Sequence, residues 1–285
     1  MTSQPAHPVS GAIPPVFNAE APLPVLARLR ASAVDFMRAW GRPRLVERRE
    51  NLRVLEALAT LATVAGIVAI GAFYDVAVTR WAGKLDPAVH GLFAQITKIG
   101  ASGYIFAISA IVTLAALLLR NPARRRRANA ALSALAGRAF FIFVVAAVSG
   151  IASQIVKHLF GRARPKLLDI VGPMHFDAFS FDATFASFPS GHAVTAFAMV
   201  AALAAMAPKL RLPLLAVAVL VAASRVIIGA HYLSDVLAGA GLGYGSAILV
   251  RRAFAARSIV FRQMPGGLRL RGAGLVRGLF QRGAR

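Results

Sequence analysis

The sequence predicts an all-α fold, a polytopic membrane bundle of six transmembrane helices. Three observations predict it. The chain has 285 residues, of which 58% are hydrophobic and only 15% charged, well outside the balance of a soluble domain. Its apolar residues gather in runs long enough to cross a hydrocarbon core of about 30 Å at about 1.5 Å per residue. Its basic residues collect between those runs, and mostly on alternate sides.

The elements follow in order. Residues 1–53 form a basic, proline-rich arm. Prolines at positions 5, 8, 14, 15, 22 and 24 discourage regular structure, so a disordered or loosely helical arm is expected. Within it, Arg28 to Trp40 has the pattern of a short amphipathic helix lying on a membrane surface. No cleavable signal peptide is read here, and the first span is expected to act as the anchor. Residues 54–250 hold the six spans: Val54–Tyr74, Ser102–Leu119, Ala139–Val156, Gly191–Pro208, Leu212–Ala230 and Tyr232–Val250. The last two are nearly continuous, so a tight turn around Gly229–His231 must divide them. Gly239, Gly241, Gly243 and Gly245 in the sixth span give small-xxx-small spacings, expected to serve close packing within the chain. Residues 251–285 form a basic tail, read as a solvated or headgroup-bound face.

The net charge of +22 raises nucleic acid as a partner, since basic patches neutralise phosphates. The distribution answers that. Of the lysines and arginines, eight lie in the arm, six between Arg120 and Arg138, two at Lys209 and Arg211 and nine in the tail, against eight in all on the other side. The positive-inside rule then makes both termini cytoplasmic, and no nucleic-acid role is expected. The expected location is a bacterial-type inner membrane. The absence of cysteine removes disulfides, thiolate nucleophiles and cysteine-based zinc sites.

Three fragments carry chemistry, and this topology puts all of them on the non-cytoplasmic face. The third holds His231 and Asp235, four residues apart and so on one helix face. A carboxylate there can accept a hydrogen bond from one ring nitrogen, leaving the other unprotonated and nucleophilic. Arg225 lies inside an apolar run, where it is expensive unless it faces a polar cavity. Its paired donors suit phosphate oxygens. Ser224 beside it is expected to bond back to its own helix.

The second fragment, Pro189-Ser190-Gly191-His192, opens a helix. Serine can cap it, and glycine lets backbone N–H groups approach an anion at the positive end of the helix dipole. His192 is placed to protonate the oxygen leaving phosphorus. The first fragment supplies Lys157 and Arg164, on the side where cations are otherwise scarce. Arg162 is left outside the core site, and His90, His158 and His175 are read as incidental. Between the first two fragments, Lys166 to Phe188 is long for a helix connection. Its five phenylalanines fit either a lid admitting a lipid tail or an ordinary interfacial loop.

Lys157-x6-Arg164-Pro165, Pro189-Ser190-Gly191-His192 and Ser224-Arg225-x5-His231-x3-Asp235 together resemble the three-part signature of the type 2 phosphatidic acid phosphatase superfamily. The resemblance spans roughly residues 54 to 250. It implies a metal-independent phosphatase that works through a phosphohistidine and needs no cofactor. It makes His231 the nucleophile, Asp235 its orienter and His192 the general acid. Lys157, Arg164, Ser190, Gly191 and Arg225 would hold the phosphate oxygens. Few acidic residues lie near these positions, which also speaks against a two-metal mechanism. The expected substrate is a phosphomonoester or pyrophosphate on a membrane lipid: undecaprenyl diphosphate, phosphatidylglycerol phosphate or the 1-phosphate of lipid A. The alternatives are a lipid phosphotransferase and a non-enzymatic lipid or anion carrier.

Overall fold

A computed structural model describes residues 24–41, 50–121, 126–264 and 267–272. In it α1 (Val25–Trp40), α2 (Glu50–Ala82), α3 (Pro87–Ile96) and α4 (Ser102–Leu118) precede the 35-residue α5 (Arg126–Phe160). A loop containing the one-turn α6 (Leu168–Val171) leads to α7 (Gly191–Met206), α8 (Arg211–Ile227) and α9 (Leu233–Ala256). The described chain closes with an antiparallel hairpin, β1 (Phe261–Met264) against β2 (Gly267–Leu270), with Phe261 opposite Leu270.

Among the described residues, five segments are long and apolar enough to cross a membrane: Leu55–Ala82, Pro87–Leu118, Arg126–Phe160, Pro208–Ile227 and Leu233–Ala256. Their outer faces carry exposed Leu61, Val68, Phe73, Ile108, Ile111, Ile151 and Leu249, as lipid-facing helices do. The chain is an integral membrane protein. Of the six expected spans, the fourth is the short one. At 16 residues, α7 is about 24 Å long, less than a hydrocarbon core. Its position explains this, because Ala193, Val194, Thr195, Ala198, Met199, Val200 and Ala202 are all buried. Neighbouring helices enclose α7, so lipid thickness does not set its length.

Sequence and structure differ at several edges. The first span runs past Tyr74 to Ala82 because Asp75 and Arg80, which interrupt the apolar run, are accommodated within the helix. The second is preceded by α3, entered through Asp86, whose carboxylate accepts the Ala88 N–H, with Pro87 at the first helical position. The arm contains the expected amphipathic segment as α1, while residues 1–23 and 42–49 lie outside the described residues. The tail contributes the hairpin, and residues 273–285 also lie outside them.

The core sits among α5, α7, α9 and the hairpin. Phe141 meets Phe254 and Phe261 edge-on at 5.3 and 5.1 Å between ring centroids, a favoured aromatic geometry. Of the four glycines expected to pack within the chain, Gly239 and Gly243 do so, while Gly241 and Gly245 face open space. A Cβ at Gly239 would sit 2.6 Å from the Ser190 carbonyl oxygen, and one at Gly243 would sit 2.1 Å from that of Val194. Only glycine lets α7 and α9 approach this closely. That approach has a consequence for chemistry: it brings Ser190 N–H to the Asp235 carbonyl at 2.9 Å, joining two of the three sequence fragments.

Candidate active site

The three fragments meet at one end of the bundle. α5 and α8 end there, and α7 and α9 begin there. Lys157 stands in the last turn of α5, nearly buried, and its Nζ donates to the carbonyls of Pro189 (2.7 Å) and Ala186 (3.0 Å). This pins the turn that starts α7. Ser190 occupies the N-cap of α7, but its hydroxyl makes no capping bond. The capping expectation therefore fails. The Ser190 Oγ and the Arg225 Nε are buried without a protein partner, and both remain available to an anion. Arg225 donates through Nη1 to Thr97 Oγ1 at 2.8 Å, which fixes its reach. Arg164 is held by the Ala183 carbonyl at 2.9 Å. Ser224 bonds back to the Val221 carbonyl at 2.6 Å, as expected, and takes no part in the site.

His231 lies in the turn between α8 and α9 and is 3% exposed. Its Nδ1 is 2.7 Å from the Ser187 carbonyl oxygen and 3.7 Å from Asp235 Oδ2. A carbonyl can only accept, so Nδ1 carries the proton, and Nε2 keeps its lone pair. Burial pushes the His231 imidazolium down to about 4 against the opposing pull of Asp235, and Lys157 and Arg225 add to the depression. A neutral ring with a bare Nε2 results. Arg225, Lys157 and Arg164 lie near enough to His192 for their charges to act on it. A cavity of about 290 Å³ is lined by Arg164, Lys166, Ala183, Gly229 and Ala230.

Asp235 works differently from the sequence expectation. Its Oδ2 accepts from Ser187 Oγ at 2.6 Å and from the Tyr232 N–H at 2.9 Å, and its Oδ1 accepts from Arg162 Nη1 at 2.6 Å. At 3.7 Å it reaches the ring by charge rather than by a hydrogen bond.

Arg162, set aside in the sequence, is 3% exposed and is the hub of the buried ion pairs. Its Nη2 pairs with Asp75 Oδ2 at 2.9 Å, its Nη1 with Ser234 Oγ at 2.8 Å, and its guanidinium lies 4.4 Å over the Tyr232 ring. Burial opposes its charge, but Asp235 and Asp75 overcome that and hold its pKa above the ordinary value. Asp75 escaped sequence reasoning altogether, although a carboxylate inside an apolar span is a signal in itself.

The loop from Lys166 to Phe188 folds over this end. Its aromatics divide: Phe179 and Phe181 are exposed, at 70% and 82%, while Phe185 and Phe188 are half-buried. His158 anchors it, with Nδ1 at 2.9 Å from the Ser180 carbonyl and its ring against Phe181. Gly161, at φ +59°, allows the Asp177 carbonyl to pass where a Cβ would stand. Among the described residues, no three His, Cys, Asp or Glu side chains gather as a metal site.

The PAP2 superfamily model matches residues 138–259, which include every signature residue of all three fragments. The lipid A 1-phosphatase of Rhizobium etli is 31% identical over 186 residues, covering 65% of this chain and 80% of that protein. The chain belongs to the PAP2 superfamily. A second lipid A 1-phosphatase, from Rhizobium johnstonii, is 37% identical over 127 residues, 45% of this chain and 52% of that one. A crystal structure of the PAP2-type phosphatidylglycerolphosphate phosphatase from Bacillus subtilis matches with a TM-score of 0.43 and 23% identity, covering 67% of this chain and 93% of that chain. As a PAP2 protein the chain is a membrane phosphatase. Asp75 stands outside the segment that the PAP2 model matches.

Proposed function

We propose that this chain hydrolyses the phosphate of a membrane lipid through a phosphohistidine on His231, and that the lipid belongs to the lipid A 1-phosphate class. The observation that carries the mechanism is the His231 ring, with Nδ1–H bound to the Ser187 carbonyl at 2.7 Å and Nε2 left as a nucleophile. The choice of lipid rests on the similarity to the Rhizobium etli lipid A 1-phosphatase across four-fifths of that protein. It narrows the three lipid classes that the sequence leaves open.

In the first step the Nε2 lone pair attacks phosphorus. Lys157, Arg164 and Arg225, with Ser190 Oγ and the N–H groups opening α7, bind the equatorial oxygens and the charge that they carry. The phosphorus–oxygen bond to the lipid breaks, and His192 gives its proton to the departing oxygen. In the second step His192 takes a proton from water, whose oxygen attacks phosphorus. The phosphorus–nitrogen bond breaks, inorganic phosphate leaves, and Nε2 recovers its lone pair. Asp235 stabilises the ring while it carries positive charge. The site opens on the non-cytoplasmic face of an inner membrane with both termini inside, as the distribution of lysine and arginine supports.

The test is phosphate release from lipid A 1-phosphate, phosphatidylglycerol phosphate and undecaprenyl diphosphate in detergent micelles, for wild type and His231→Ala. Release from lipid A 1-phosphate at a kcat/KM at least about tenfold above the others, abolished in His231→Ala, is expected. Equal rates on all three would overturn the lipid assignment. Equal rates in wild type and variant would overturn the mechanism.

A further inference from the structure

We propose that Asp75 and Arg162 are positioning residues for the reaction, forming a buried latch between the first span and the nucleophile's carboxylate. The inference rests on the function proposed above and adds to it a part of the chain beyond the region that the family model matches.

The latch has three links. Asp75, which is fully buried, accepts the Ser234 backbone N–H on Oδ1 at 2.9 Å and the Ser234 hydroxyl on Oδ2 at 2.5 Å. That N–H is among the unpaired donors at the start of α9, so the carboxylate of α2 sits where the helix dipole favours it. It fixes the backbone immediately before Asp235. The second link is Arg162, whose Nη2 meets Asp75 and whose Nη1 meets Asp235 Oδ1. The Pro173 carbonyl accepts from both Nε and Nη2 of the same guanidinium. With Oδ1 occupied by Arg162, Asp235 turns Oδ2 toward Ser187, Tyr232 and the His231 ring. The third link is backbone: Ser187 N–H donates to the Arg162 carbonyl at 3.1 Å, and the Ser187 carbonyl is the acceptor for His231.

Stability alone does not account for this arrangement. Two buried carboxylates share one guanidinium, and well-packed apolar side chains usually serve stability as well or better. What the ions add is direction. Arg162 meets Asp235 directly, and Asp75 meets both Arg162 and the residue that precedes Asp235. Because Asp75 is on α2, a shift of the first span would reach the nucleophile through this latch.

The charged groups acting on His231 are Asp235 on α9, Lys157 on α5 and Arg225 on α8, with His192 on α7 coupled to it and Arg164 in the loop acting on His192. Asp75 acts on that set only by sharing the Arg162 charge. The experiment uses the full-length protein in micelles and compares wild type with Asp75→Asn, Arg162→Lys and Ser234→Ala. It measures kcat and KM per active site, counted by vanadate titration, and the pH profile of kcat/KM. Asp75→Asn is expected to lower kcat by about tenfold to a hundredfold, the scale of a small misplacement of a reacting group, with KM changed less than about threefold. Its acid limb should move to lower pH, because Arg162 then presses a less compensated positive charge on the ring. Arg162→Lys, which keeps the charge but loses the fork, should lower kcat with the limb unmoved. Ser234→Ala keeps the backbone bond and should lose about threefold to tenfold in kcat, so it reads the latch even if Asp75→Asn does not fold. Wild-type kcat and an unmoved limb in Asp75→Asn, or losses that vanish once active sites are counted, would overturn the latch. Failure of the wild type to depend on His231 would instead overturn the proposed function.

Discussion

The Ser187 carbonyl oxygen is nearer to His231 Nδ1 than the Asp235 carboxylate is, at 2.7 against 3.7 Å. The tautomer of His231 is therefore fixed by backbone, and Asp235 acts on the ring by charge and by holding Ser187 and the Tyr232 N–H.

That division sets the size of a mutational effect. Where a carboxylate alone fixes the tautomer of a catalytic histidine, its amide costs about 10⁴ in kcat. Here Asp235→Asn leaves the Ser187 carbonyl in place, so a loss on the order of 10² is expected, the effect of charge and alignment. Steady-state kinetics on a lipid phosphate check it, and a loss of 10⁴ or more would place the tautomer under Asp235 after all.

Burial lowers the His231 pKa to about 4, below the ordinary value of about 6.5. The folded protein then binds that proton less readily than the unfolded chain. The sign follows: stability is lost as pH falls below about 6.5 and continues to fall until the folded group protonates near 4. Nuclear magnetic resonance titration of histidine-labelled protein, with His231 assigned by His231→Ala, is expected to show it neutral at pH 6. A midpoint at or above 6.5 would contradict the burial argument.

Chelation separates this chemistry from metal-assisted hydrolysis. A nucleophilic histidine among three cations needs no metal-activated water. Full activity is expected after exhaustive dialysis against chelator, together with inhibition by vanadate, which mimics the five-coordinate transition state. Activity that disappears with the chelator and returns with a divalent ion would count against the phosphohistidine route.

Orientation can be read directly, since the chain contains no cysteine. Single cysteines at Ala178, in the exposed loop over the site, and at Lys209, at the opposite end of the bundle, should react differently with a membrane-impermeant maleimide. Ala178→Cys is expected to label in intact cells with the outer membrane permeabilised, and Lys209→Cys only after the inner membrane is opened. The reverse pattern would invert the topology.

Much of the site is legible in one dimension because its residues sit at fixed spacings within short fragments. His231 and Asp235 stand four residues apart across the start of α9, Ser190, Gly191 and His192 open a helix, and Arg225 stands out within an apolar run. The latch is not legible in that way. Arg162 looks like a basic flank after a span, and only the tertiary fold shows it buried against Asp75, far away on α2. The apolar run before Tyr74 hides how far α2 continues, since Asp75 is tolerated only because Arg162 and Ser234 meet it. The hairpin after α9 escaped notice because an arginine-rich tail masks two short runs, although Pro265-Gly266 between them is a turn signal. The short α7 shows the same limit: hydropathy marks the helix, but only packing shows that other helices surround it.

The most direct test of the account is chemical trapping of the intermediate. Wild type and His231→Ala are mixed with lipid A 1-[³²P]phosphate, quenched during turnover and digested. Acid-labile, base-stable label on the peptide containing His231, absent from the variant, is the predicted result. Label that survives acid, resides on another residue or persists in His231→Ala would contradict it.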